Sequence, residues 1–359
     1  MKEFCMIFFN YILYNTFITC IYCICKNIRR VLFIMKIKKI VVLVMVMVMV
    51  TSMFTGCKKK GDDGVVKVGI CIYKFDDNFM TLYRTELERY FKEDLSTDEV
   101  TYEVTVMDGK NDQAEQTNQI QNFISSGVDV IIANLVQSSA APQVINMCKE
   151  ADIPVVFINR EPTADDLALW DKVAYVGADA KQSGTFQGEI INELSDKGDI
   201  NGDGTVNYVM VIGDPENVDA QYRTEFSIKA LTDSGMAVKE LVAQRGDWDQ
   251  AKGQEIVASA LAQFGNDIEV VFCNNDAMAL GALQAIDAAG RVVGTDIYLV
   301  GVDALDEVVS LVNEGKITGT VLNDSIGQSN TAADVAVKAV NGEKLEKNYT
   351  VDYVKVIKK

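Results

Sequence analysis

The stretch DINGDGTVNYVM, residues 199–210, carries the residue types of a calcium loop. Oxygen-bearing side chains fall at positions 1, 3 and 5 (Asp199, Asn201 and Asp203), Gly204 stands at position 6, and Asn207 at position 9. A hard cation needs such oxygens, a glycine where the chain turns sharply, and a closing glutamate at position 12 that grips with both carboxylate oxygens. Position 12 here is Met210, which offers no hard donor. Either the loop holds no calcium, or the missing carboxylate arrives from elsewhere in the chain.

A second set of residues suits a different chemistry. Tyr73, Asn134, Asn275, Asp303 and Asn323 each close a short apolar run. Amides and carboxylates both fit an uncharged ligand rich in hydroxyls, because each hydroxyl donates one hydrogen bond and accepts others, and a charged partner strengthens the bond. Any one of these residues is also an ordinary turn former. Five of them at strand ends across two sheets fit a binding site better. The adjacent pair Asp76–Asp77 suggests acid/base work, but neighbours on a loop point apart, and glycoside hydrolysis needs two carboxylates set across a bond. The chain has no histidine, which removes Ser-His and Cys-His catalysis and the commonest ligand for zinc, copper and iron.

The elements that position these residues follow a regular rhythm. From Val65 onward, β-branched runs alternate with helical patterns: VVKVGICIY, YEVTVMD, VDVIIAN, VAYVGAD, NYVMVIG, VKELVAQ, IEVVFCNN, IYLVGVD and ITGTVLND are each followed by a helical segment, and IPVVFIN follows the helix through Cys148. This alternation predicts α/β architecture, with parallel sheets covered by helices on both faces and ligand sites at the C-terminal ends of the strands. A length of 359 residues exceeds what one core usually serves, so two lobes are expected. The net charge of −17 argues against nucleic acid or an anionic membrane surface as partner.

The N-terminus reads as targeting. Residues 35–56 have a basic start, an apolar stretch too short for an ordinary span, and small residues before Cys57. FTGC resembles a bacterial lipobox, so Cys57 is the expected lipidation site, with residues 57–64 as a tether. A plain membrane anchor ending at a chance cysteine is the alternative. The apolar, cysteine-rich residues 1–34 precede a complete signal and are expected to be an over-extended start, or else a further membrane segment. CIYC at Cys20–Cys23 lacks the βαβ context of a redox motif. Residues 1–56 hold seven cations and one anion, so their removal takes the charge from −17 to −23. Cys71, Cys148 and Cys273 lie in apolar runs and read as buried thiols.

IYKFDDNFM (Ile72–Met80), ANLV (Ala133–Val136), CNNDAMALGA (Cys273–Ala282), GVDAL (Gly301–Leu305) and GTVLND (Gly319–Asp324) closely resemble the galactose/glucose-binding proteins of ABC transporters. The resemblance runs in order along nearly the whole chain from Val65. It implies a type I periplasmic-binding-protein fold: two similar lobes joined by three hinge crossings, closing on a monosaccharide. It places sugar contacts on Tyr73, Asp77, Phe79, Asn134, Asp219, Arg223, Trp248, Asn275, Asp303 and Asn323. Phe79 and Trp248 would stack on the two faces of a pyranose, and the acids, Arg223 and the amides would bind its hydroxyls. Asn217 stands where relatives carry histidine. It can still donate to a hydroxyl, but the choice between galactose and glucose becomes open. The resemblance also supplies the calcium loop's missing ligand, Glu269 at the start of the strand that ends in Asn275. Asp199, Asn201, Asp203 and Asn207 would give side-chain oxygens, Thr205 its carbonyl and Glu269 both carboxylate oxygens. At roughly 3.3 Å per residue the metal and sugar sites would lie about 20 Å apart, so the calcium would be structural.

The expected role is an extracytoplasmic receptor, lipid-anchored through Cys57, that delivers D-galactose or D-glucose to an ABC permease and catalyses nothing. The alternative is a binding protein for another monosaccharide that signals to a chemoreceptor or sensor kinase. A sugar-responsive repressor would need a basic DNA-binding domain where the export signal stands. A sugar-processing enzyme would need a recognisable nucleophile. Lobe one is expected over 65–153 and 324–351 and lobe two over 154–323 and 352–359, with crossings near Ile153, Asn323 and Tyr353.

Overall fold

The computed structural model describes residues 64–358. The readings on residues 1–34, 35–56 and Cys57, and on the tether up to residue 63, lie outside the described residues.

Among the described residues, twelve strands form two six-stranded sheets. The first holds β1 (Val65–Ile72), β2 (Thr101–Asp108), β3 (Val130–Ala133), β4 (Val155–Ile158), β5 (Val173–Gly177) and β11 (Asn348–Thr350), in the order β2-β1-β3-β4-β5-β11, all parallel. The second holds β6 (Thr205–Ile212), β7 (Ala237–Arg245), β8 (Val270–Cys273), β9 (Tyr298–Val300), β10 (Gly319–Leu322) and β12 (Val354–Ile357), in the order β7-β6-β8-β9-β10-β12. Among the described strand pairs, only β10–β12 is antiparallel. The helices are α1 (Asn78–Tyr90), α2 (Gln113–Ser126), α3 (Ala141–Glu150), α4 (Ala164–Leu167), α5 (Ala180–Asn192), α6 (Val218–Asp233), α7 (Gln250–Phe264), α8 (Asp276–Ala288), α9 (Asp306–Glu314) and α10 (Ser325–Val340). Among the described residues no helix is long and apolar enough to cross a membrane.

The period of two along each strand divides the side chains between two cores per lobe. In lobe one, Ile70, Ile132, Val156 and Val176 join the core that also holds Met80, Tyr83 and Ala336 of α1 and α10. The intervening Cys71, Ile131, Val155 and Phe157 point the other way, into the core with Phe123 and Ile145 of α2 and α3. Strands buried on both faces read as unbroken apolar runs, which is why VVFI and VVFC show no polar alternation.

One expected boundary is corrected. The chain does not change lobes near Ile153. β4 pairs with β3 (Ile131 opposite Val155) and β5 with β4, so residues 154–177 belong to the first sheet. The first crossing falls between Gly177 and α5, which packs on the second lobe and donates from Gln187 Nε2 to Cys273 O at 2.8 Å. Alternation alone names strands without saying which sheet each joins. The other changes of sheet lie between β10 and α10 and between β11 and β12.

Candidate functional site

The C-terminal ends of both sheets face one cavity. Tyr73, Asp77, Phe79, Met80, Asn159 and Arg160 of lobe one line it. Asn217, Asp219, Arg223, Trp248, Asn275, Asp303 and Asn323 complete the wall.

Helix starts place much of this lining. Asp77 caps α1, its Oδ1 accepting from Met80 N at 2.7 Å, while its Oδ2 accepts from the Tyr73 hydroxyl at 2.6 Å. Asn217 caps α6 by accepting from Asp219 N at 3.0 Å. Asn275 caps α8 by accepting from Met278 N, and its Nδ2 donates to Trp248 O at 3.4 Å. Asn and Asp are strong caps because their side-chain oxygen satisfies an orphan backbone N–H. Asp77, Asn217 and Asn275 therefore cap helices and line the cavity at once. With its oxygen used as a cap, Asn217 retains its Nδ2 donors for the cavity.

Trp248 is held by unusual backbone. Asp247 and Trp248 both adopt positive φ, 53° and 64°. The indole lies so close over Gly213 that a Cβ there would meet the ring at 2.2 Å. Asp303 and Ala304 are likewise in the left-handed half, at 121° and 53°. Non-glycine residues in such conformations cost stability and concentrate at ligand sites.

Arg223 is 3% exposed and anchors the floor. It donates to Asn274 O at 2.8 Å, to Asp219 Oδ2 at 3.2 Å and to the Tyr353 hydroxyl at 3.1 Å. Its guanidinium carbon lies 5.7 Å from the Trp248 ring centre. Burial pushes the Asp219 carboxyl up, against the pull of Arg223 and Arg160. Burial also holds Asp303 well above the ordinary carboxylate range, Arg223 opposing and Asp276 and Asp77 reinforcing it. Asn323 Nδ2 donates to Asp303 at 3.3 Å and its own oxygen accepts from Gln328 at 2.6 Å.

Asp276 lies behind Asp303. Its oxygens accept from the Thr320 hydroxyl at 2.7 Å and from Leu305 N at 2.9 Å, tying α8 to the ends of β9 and β10. Burial raises this carboxyl from 3.8 to about 6, against those hydrogen bonds. A raised carboxyl binds its proton more tightly in the folded chain. Its favourable contribution is complete below the unfolded value near 3.8 and is lost as pH rises through about 6. Relative to Asp276→Asn, the wild type should therefore lose up to about 3 kcal/mol between pH 4 and pH 7. Urea unfolding of both proteins at a series of pH values measures this. A difference that does not change with pH refutes it.

Ten of the eleven residues expected to meet sugar line this cavity. Asn134 does not. It is fully buried behind Tyr73, its Oδ1 accepting from Tyr73 N at 3.2 Å and its Nδ2 donating to Asn159 Oδ1 at 3.0 Å. It holds two lining residues in place instead of facing the cavity. Asn159 and Arg160 were missed. They end β4 as Asn275 ends β8, so the strand-end rule covers them once β4 is assigned to lobe one.

The calcium-type loop lies at the opposite end of β8. Asp199 accepts from the amides of Gly202, Asp203 and Gly204 at 2.9–3.1 Å. Asn201 Oδ1 accepts from Asp203 N, and Asp203 Oδ1 from Thr205 N. Glu269 is 1% exposed and meets the loop, Oε1 accepting from Asn201 N at 3.0 Å and Oε2 from Asn207 N at 2.8 Å. Among the described residues no three acidic, cysteine or histidine side chains converge as a metal-holding group. An oxygen cage here must therefore draw on amide and carbonyl oxygens as well as Asp199, Asp203 and Glu269. A buried carboxylate whose two oxygens accept from backbone amides, beside a loop of hard donors, fits such a cage.

A family described as the periplasmic binding protein domain matches residues 68–344. The D-galactose/methyl-galactoside binding periplasmic protein MglB of Haemophilus influenzae is 36% identical over 283 residues, covering 77% of this chain and 82% of that protein. The ribose import binding protein RbsB of Salmonella typhimurium is 29% identical over 263 residues, covering 73% and 82%. An ABC transporter solute binding protein from Bacillus halodurans, solved with bound myo-inositol, superposes with a TM-score of 0.72 at 30% identity, covering 83% of this chain and 96% of that one.

Proposed function

Because the chain belongs to the periplasmic binding protein domain family, whose members serve ABC transporters as sugar-binding components, we propose that its cleft takes one hexopyranose, D-galactose or D-glucose, and hands it to a membrane permease. The observation that carries the choice is the pair of aromatic side chains, Phe79 from lobe one and Trp248 from lobe two, in the wall of one cavity otherwise lined by hydrogen-bonding groups. A pyranose has two apolar C–H faces and a polar rim. The aromatic rings cover the faces. Asp77, Asp219 and Asp303 accept from hydroxyls, Arg223 donates, and the amides of Asn217, Asn275 and Asn323 serve the rest. Lobe closure removes water, so a hydroxyl that finds no partner costs affinity, and this sets specificity.

A cyclitol is the second reading, favoured by the myo-inositol in the Bacillus halodurans protein. Titration of D-galactose, D-glucose, D-ribose and myo-inositol, followed by Trp248 fluorescence in a Trp170→Phe background, separates the two. We expect galactose or glucose to bind at least tenfold more tightly than myo-inositol. Saturable binding of myo-inositol alone would replace the hexose reading, and no response to any of the four at millimolar concentration would sink both.

The family places the protein outside the cytoplasm. Lipid on Cys57 is the proposed anchor, resting on the lipobox-like FTGC. Structural calcium is proposed for the loop, held by Asp199, Asn201, Asp203, the Thr205 carbonyl, Asn207 and Glu269. The ion would supply a compact positive charge that the loop and β8 share.

A further inference from the structure

A second cavity lies where the chain crosses between the lobes. Glu161 and Tyr175 of lobe one, Asp179 at the first crossing, Lys181 and Tyr222 of lobe two, and Thr350 at the end of β11 line it. No residue lining it also lines the sugar cleft. Two of the three crossings are joined beside it. Val351 N, at the third, donates to Gly177 O of the first at 2.9 Å. Tyr353 N donates to Gln182 Oε1 at 2.8 Å, which holds the third crossing to α5.

The wall is short of one cation. Glu161 is half-buried. Among the described residues its carboxylate has neither a hydrogen-bond donor nor an ion pair. Burial pushes this carboxyl up, and Asp219 and Asp179 push the same way, with Lys181 opposing. Asp179 spends one oxygen on Lys181 N at 3.0 Å as the cap of α5. A partly desolvated carboxylate left without a donor is unfavourable, so a positive group that reached it would be held. The aromatic rings indicate what kind of group. Lys181 Nζ lies 4.7 Å from the centre of the Tyr222 ring and 5.9 Å from that of Phe226, and the two rings meet edge to face. An ammonium group is thus already drawn to this aromatic face, although it stops short of pairing with Glu161. A hard metal ion needs six or more oxygens, and among the described residues no three acidic, cysteine or histidine side chains converge. A primary ammonium on a short stem fits better: its N–H groups serve Glu161 and Asp179, and its stem lies against Tyr175 and Tyr222.

We propose that this cavity is a second ligand site, which takes a small primary ammonium compound between Glu161 and Asp179, and that its occupancy is linked to sugar affinity. The site goes beyond the hexose reading and does not rest on it. Linkage follows from the wall, to which both lobes and the first crossing contribute. A ligand that prefers one arrangement of the lobes shifts their equilibrium, and the two ligands then change each other's affinity by the same factor.

Ethanolamine is the probe, with ethylene glycol as its uncharged counterpart. Isothermal titration of the full-length protein, in phosphate buffer at neutral pH and fixed ionic strength, compares wild type with Glu161→Gln, Lys181→Met and Glu255→Gln. The last removes one negative charge from the exposed face of α7, away from the cavity wall. Ethanolamine should bind the wild type at millimolar concentration or below, and ethylene glycol should give no binding heat. Glu161→Gln should weaken ethanolamine roughly tenfold or more, because a hydrogen bond between charged groups is lost. Lys181→Met should tighten it by about twofold to fivefold, because a nearby like charge is removed. Glu255→Gln should match the wild type. No binding heat with the wild type, or equal affinity in wild type and Glu161→Gln, would overturn the site. Equal weakening in Glu161→Gln and Glu255→Gln would reduce it to general attraction toward a negative chain and overturn it as well. Sugar affinity with and without saturating ethanolamine should differ more than twofold, and equal affinities refute the linkage. If the wild type binds no sugar, the hexose reading fails, while the ethanolamine titrations still decide the site.

Discussion

Replacing Arg223 by methionine should weaken sugar binding by about two orders of magnitude or more, the largest loss expected from any single change in the cleft. Three consequences act together. A donor to the ligand disappears. Asp219, itself largely buried, loses its ion partner. The tie from Asn274 on the β8 end to Tyr353 beside the third crossing is cut. Breaking a buried pair from one side typically costs about 3–5 kcal/mol, because the remaining charge is left uncompensated. If about 3 kcal/mol of this appears in binding, the dissociation constant rises by a factor of roughly 150. Methionine keeps much of the volume, so packing accounts for little of the effect. Isothermal titration with the preferred sugar measures it, alongside the thermal midpoint of the ligand-free variant. A dissociation constant within fivefold of wild type would show that Arg223 only props the floor. The double variant Arg223→Met/Asp219→Asn should recover part of the loss in midpoint, because it removes the stranded charge.

Chelating calcium should lower the thermal midpoint by about 5–10 °C, and Glu269→Gln should abolish the dependence. A ligand at about 100 times its dissociation constant stabilises the folded state by roughly 2.7 kcal/mol, and in a domain of this size each kcal/mol moves the midpoint by about 2–4 °C. Sugar affinity at 25 °C should change less than twofold on chelation, since Glu269 and Asn275 stand at opposite ends of β8. Differential scanning calorimetry with EDTA and with added Ca2+ tests the first part, and sugar titration of the chelated protein the second. Equal midpoints with and without chelator would remove calcium from the account. A midpoint in Glu269→Gln that still follows calcium would move the ion elsewhere.

The fold was legible because alternation of strand and helix is written in composition at short range. Asn275 both ends the β8 run and caps the next helix, so there one local pattern reported an element boundary and a cavity wall together. What the pattern lacked was lobe membership. IPVVFIN is the same kind of apolar run whichever sheet it joins, and only its pairing with β3 decides. The misplaced crossing then hid Asn159 and Arg160. Asn134 failed for a different reason. Its side chain is spent on Tyr73 and Asn159, and nothing in ANLV distinguishes an amide that faces a ligand from one that holds its neighbours. Glu269 came from the resemblance alone, because its partners Asn201 and Asn207 are far away in the chain and no local spacing joins them.

The dual use of Asp77, Asn217 and Asn275 as helix caps and cavity lining constrains how this receptor can diversify. A change at any of the three alters recognition and the start of a helix together, so variants there are filtered first by foldability. Tyr73, Phe79, Trp248 and Asp303 cap no helix. Drift toward a new sugar has its most accessible routes through those four side chains, with the caps kept as a fixed frame. The cleft thus divides into a fold-constrained scaffold and an adjustable selector, although the two are interleaved residue by residue in the same wall.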